Sequence, residues 1–101
     1  MATTSDQKQA FEASQERYRD AAALVAAAAR LWRTQPSVEH RLLVADALRE
    51  RLRVGVDLLE DGARAAQDGS IQSEELARVN RELATDRQAA SEYFARLLQS
   101  S

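Results

Sequence analysis

Apolar residues recur along this chain at spacings of three, four and seven, in three stretches parted by two polar breaks. Residues so spaced share one face of an α-helix, whereas a half-buried strand needs strict alternation. The first break is Thr34-Gln35-Pro36-Ser37 and the second is Asp68-Gly69-Ser70. Proline and glycine punctuate helices, so the pattern predicts helices over about 5–33, 38–67 and 73–98, within one domain spanning 1–101.

In the first stretch Phe11, Tyr18, Val25 and Trp32 fall every seven residues and join Ala21, Ala22, Ala28 and Ala29 in one stripe. Thr4 and Gln7 have the spacing of a capping box, and Arg30 and Arg33 suit the negative end of the helix dipole. The third stretch carries Leu76, Val79, Leu83, Ala90, Tyr93, Phe94 and Leu97, broken midway by Asp86 and Arg87. Ser70 or Ser73 can cap it, with Glu74 and Glu75 in its first turn.

The middle stretch differs, because it has two apolar stripes. One is Val38, Leu42, Ala45, Leu52, Val56, Leu59, Ala63 and Ala66; the other is Leu43, Ala47, Val54, Leu58 and Ala65. At ~100° per residue they face nearly opposite ways. Val44, Leu48, Gly55 and Gly62 fill much of the arc between them, and charged residues hold what remains.

Three helices of ~40–45 Å with short links predict an all-α fold, an antiparallel up-down-up three-helix bundle. In that register Trp32 is expected to pack with Val38, Leu42, Phe94 and Leu97, and Asp86 to pair with Arg53 or Arg49. A bundle covers roughly one ~100°-wide face per helix, so the second stripe should lie outside it. Leu43, Ala47, Val54, Leu58 and Ala65 are therefore the expected interface of a homodimer. A flat layer with the outer helices on opposite sides of the middle one would bury that stripe within one chain instead.

Composition narrows the picture. Among 101 residues there are 20 alanines, three glycines, one proline and no cysteine. So few turn residues argue against a sandwich or barrel, and the missing cysteines exclude disulfides and thiolate chemistry. Charge is nearly balanced, at −2 net with basic and acidic residues interspersed, which leaves no basic field for nucleic acid or an anionic membrane. Thirteen of the 14 basic residues are Arg, which with the alanines reads as a G+C-rich, bacterial coding bias. No secretory signal pattern opens the chain, and the apolar run Ala21–Ala29 is too short to span a bilayer.

Candidate chemistry is sparse. Gly69, Ile71 and Glu75 match positions 6, 8 and 12 of a calcium-binding EF-hand loop, but Arg64 and Ala66 then stand where oxygen ligands are required. The segment reads better as a glycine stop followed by a serine cap. His40 is the single histidine, beside Glu39, and reads as a solvated imidazole. Ser37 lies near it but serves as a cap, and nothing assembles a Ser-His-Asp set. Glu60-Asp61 and Glu74-Glu75 are adjacent pairs, which diverge on a helix. Arg49, Arg51 and Arg53 sit among Asp46, Glu50 and Asp57, as on a solvated, paired face. Gly55 and Gly62 each cost ~1 kcal/mol inside a helix relative to Ala, which a close helix–helix approach would explain.

The expectation is a non-enzymatic, cytoplasmic protein–protein interaction module, an oligomerising helical adaptor that binds itself and another protein. No cofactor, metal, nucleic acid, membrane or small-molecule substrate is expected. The alternative is a small acidic chaperone for a secreted or helical client, since size, charge and helical content resemble those of flagellar and type III secretion chaperones. A nucleic-acid-binding regulator is disfavoured by the charge balance.

Overall fold

The structure, a computed structural model, describes residues 4–99. It holds α1 (Thr4–Thr34), α2 (Val38–Gln67) and α3 (Ser73–Gln99), with no strand among the described residues. The helices pack as a slender bundle of 50 × 20 × 17 Å.

Both links are built from the residues that break the periodicity. Ser37 is extended (φ −155°, ψ 161°), and its Oγ accepts the His40 N–H at 3.1 Å, which satisfies one free donor at the start of α2. His40 Nδ1 lies 2.6 Å from the Gln35 carbonyl, so the ring braces the same turn. At the other end Gly69 adopts φ 83°, the left-handed conformation that only glycine takes without strain. The Ser70 N–H then reaches the Ala65 carbonyl at 2.8 Å and the Gly69 N–H the Ala66 carbonyl at 3.3 Å, a Schellman closure. The Gln72 carbonyl accepts the Glu75 and Leu76 N–H groups, so Gln72 holds the cap position of α3 expected for Ser70 or Ser73. Ser70 Oγ donates instead to the Asp68 carboxylate. The side chain of Thr4, the expected cap of α1, lies outside the described residues.

The core has two apolar clusters. One gathers Phe11, Leu58, Ala65, Ile71, Val79 and Leu83, with Tyr18, Leu59 and Leu76 packed against it. The other gathers Ala28, Val44, Leu48, Ala90 and Leu97, flanked by Val25, Trp32, Tyr93 and Phe94. Arg51, Asp86 and the Tyr18 hydroxyl form a polar layer between them.

Small side chains set the spacing of α1 and α2. Ser14 is fully buried, Ala21, Ala28 and Ala29 nearly so, and on α2 Gly55 and Gly62 are buried. A Cβ built on Gly62 would lie 2.9 Å from Leu76 Cδ1 and 3.2 Å from Phe11 Cε1. Gly62 therefore lets one aromatic and one leucine close over the backbone. α3 meets α2 through larger side chains. Among the described residues no Cα of α1 comes within 8 Å of one in α3. Those two helices meet through long side chains: Tyr18 reaches Asp86, and Trp32 stands edge-on to Tyr93 at 6.3 Å.

Three packing expectations need correction. Trp32 packs against the cluster containing Leu97, but Val38 and Leu42 stay 62% and 56% exposed. Asp86 pairs with Arg51, not with Arg53 or Arg49. Arg51 lies on the arc of Leu48, Gly55 and Leu58, which faces the other helices. Arg49 and Arg53 lie outside that arc and bond Asp46 and Glu50 within α2. The third correction concerns which stripe of α2 is inside.

Candidate interaction surface

The two stripes of α2 exchange places relative to the expectation. Val54, Leu58 and Ala65 are buried, and Ala47 is half-buried against the second cluster. Of the five expected interface residues only Leu43 is largely exposed, at 49%. The cause lies on α1 and α3. Phe11 and Tyr18 of α1 and Leu76 and Leu83 of α3 converge on Gly62 and Gly55, which turns the arc of Val54, Leu58 and Ala65 inward with them. What remains outside is the other stripe: Val38, Leu42, Leu52 and Val56 are all more than two-fifths exposed.

That stripe has the alternating three-and-four spacing of a coiled-coil seam: Val38, Leu42, Ala45, Arg49, Leu52, Val56, Leu59, Ala63 and Ala66, its far end turning inward where Leu59 and Ala66 pack against the first cluster. Arg49 is its one charged member, and its guanidinium bonds the Asp46 carboxylate at 3.1 Å. Beside the seam runs a cleft of about 520 Å³ between α2 and α3. Leu48, Leu52, Ala90 and Phe94 line it, and Arg49 and Arg87 stand at its rim. A smaller apolar group is exposed on α1, where Leu24 and Leu31 are 60% and 44% accessible.

Charged side chains flank the seam in local pairs. Glu50 and Arg53 hold each other, which lowers the carboxyl pKa and raises that of the guanidinium, each chiefly through their hydrogen bonds. Exposed pairs of this kind steer and orient more than they stabilise.

The polar groups inside the bundle are used structurally. Ser14 Oγ donates to the Asp61 carboxylate, which also takes the Arg64 guanidinium at 3.0 Å. Ser14 is fully buried, so its hydroxyl is a packed donor within the helix interface. Burial raises the pKa of Tyr18, and its hydrogen bond to Asp86 raises it further. A phenol held neutral in this way is a donor, not a nucleophile. His40 is occupied with the α1–α2 turn, and the segment around Gly69 is the helix closure already described. Among the described residues no three His, Cys, Asp or Glu side chains stand together as a metal site, and no helix is long and apolar enough to cross a membrane.

Gly55 and Gly62 were the sequence signal for the inner arc of α2, because a glycine kept in mid-helix marks the side that another helix approaches. They lie in the arc between the two stripes, so they mark that arc as inward without choosing between the stripes. The chain matches no family model, and neither the curated proteins nor the solved structures compared with it provide a match.

Proposed function

We propose that this chain is a non-enzymatic protein–protein interaction module, an antiparallel up-down-up helical bundle that forms a homodimer through the exposed seam of α2. Its role is that of an adaptor or assembly component in the bacterial cytoplasm. The bundle topology rests on the pairing of Phe11 and Leu76 with Gly62 and of Tyr18 and Leu83 with Gly55. The single observation that carries the function is the exposure of Val38, Leu42, Leu52 and Val56 in one seam-spaced line. These side chains are about half exposed, so burying the remainder is worth roughly 1 kcal/mol each, and contiguous apolar surface of this kind marks interfaces.

A second reading, a small acidic chaperone, draws on the cleft between α2 and α3, whose apolar floor and Arg49–Arg87 rim suit a client helix with acidic flanks. Light scattering at micromolar concentration separates the two. The dimer has twice the 11.2 kDa chain mass. A wild-type monomer contradicts self-assembly and favours the chaperone.

A further inference from the structure

We infer that the occupant of the α2 seam is the α2 seam of a second copy, packed antiparallel about a two-fold axis between Arg49 and Leu52, with Asp46 of each copy opposite Arg53 of the other. This rests on the proposed self-assembly and specifies its geometry.

The two edges of the seam are unlike. On one edge Leu48, Gly55 and Gly62 are buried under side chains of both neighbours, and α3 borders the seam there across the cleft lined by Leu48, Leu52, Ala90 and Phe94. On the other edge Glu39, Asp46, Arg53 and Glu60 are all exposed. Parallel pairing sets unlike edges together, so the charged edge of one copy would press against α3 of the other. Antiparallel pairing sets like edges together. Charged edge then meets charged edge, and each α3 lies beside the other across the second edge. That position is useful. A helix-wide contact alone falls short of the roughly 800 Å² per partner of a standard interface, and the cleft side of α3 with Phe94 adds to it.

Charge and coverage choose the register. With the axis between Arg49 and Leu52, Val38 faces Ala63, Leu42 faces Leu59, Ala45 faces Val56 and Arg49 faces Leu52, so the exposed Val38, Leu42, Leu52 and Val56 are all covered. On the charged edge Asp46 meets Arg53 twice by symmetry. Like charges, Glu39 and Glu60, meet only at the two outer ends. A shift of half a heptad sets Arg53 against Arg53 and Asp46 against Glu60. A further shift pairs Arg53 with Glu60 but carries Val38 and Leu42, the two most exposed large apolar members, beyond the end of the partner helix.

The chain has no cysteine, so single cysteines report this geometry without background. The full-length variants Val38→Cys, Ala63→Cys, Arg49→Cys and Leu52→Cys are oxidised alone and as two mixtures, Val38→Cys with Ala63→Cys and Arg49→Cys with Leu52→Cys, and are resolved on non-reducing gels. A disulfide needs Cα atoms about 4.4–6.8 Å apart. The inference expects strong cross-linking of the Arg49→Cys and Leu52→Cys mixture and of the Val38→Cys and Ala63→Cys mixture, and little of Val38→Cys alone. Val38→Cys linking to itself as readily as to Ala63→Cys means a parallel pair and overturns the inference. No cross-link in a dimer confirmed by light scattering also overturns it while leaving self-assembly standing. A wild-type monomer removes both.

Discussion

The Tyr18 hydroxyl donates to the Asp86 carboxylate at 2.7 Å, joining α1 to α3 across a gap their backbones do not close. Arg51 of α2 completes the layer, bonding the Asp86 carbonyl at 3.1 Å. The middle of the bundle is thus held by one polar contact from each helix, between two apolar clusters.

Tyr18→Phe should destabilise the fold by about 1 kcal/mol, at the lower end for a hydrogen bond to a charged group because Asp86 is partly exposed. The effect depends on pH. Burial, and then the bond to Asp86, raise the Tyr18 pKa above its ordinary value of about 10. The neutral phenol therefore contributes stability below about pH 10, and that contribution is lost as pH rises through the raised value. Urea melts between pH 8 and 11 should show a larger loss for wild type than for Tyr18→Phe. Parallel curves would refute the linkage.

Arg51, rather than its neighbours, is the partner of Asp86. Double-mutant cycles should give a coupling of roughly 0.5–1 kcal/mol between Arg51→Ala and Asp86→Ala. The cycle of Asp86→Ala with Arg53→Ala should show none, because Arg53 is committed to Glu50.

The two mid-helix glycines should respond oppositely to alanine. A Cβ at Gly55 meets Tyr18 Cε2 at 3.5 Å and Leu83 Cδ2 at 3.6 Å, ordinary contacts. Gly55→Ala should therefore stabilise by ~0.5–1 kcal/mol through helix propensity. At Gly62 the Leu76 methyl must swing away and the buried Phe11 ring must shift. Overpacking of ~1–3 kcal/mol outweighs the propensity gain there, so Gly62→Ala should lower stability by about 1 kcal/mol. Thermal melts of the two variants decide it.

Helix periodicity, the Pro36-Ser37 start and the Gly69 stop were all legible in the sequence, because each is local chemistry: spacing, a cap hydroxyl and a left-handed φ. The exposed face of α2 was not, since both stripes have apolar spacing and neither carries information about which neighbour approaches. That depends on the volume of partners far along the chain. Ser14, Ala21 and Ala28 are small and buried and let α1 come close to α2, and nothing within α2 itself encodes them. Arg51 was missed for the same reason. Whether an arginine reaches inward depends on the arc it occupies, and that arc is set by the neighbouring helices.

The exposed seam of α2 as the self-association face is tested most directly by light scattering on two paired variants alongside wild type. Leu52→Glu with Val56→Glu charges the seam, and Leu24→Glu with Leu31→Glu charges the exposed apolar group on α1. All four positions are already 44% or more exposed, so both variants should keep the helical content of wild type. Wild type and the α1 variant are expected at twice the 11.2 kDa chain mass, and the α2 variant at the chain mass itself. An α2 variant that stays dimeric, or a wild type that is monomeric, would contradict the account.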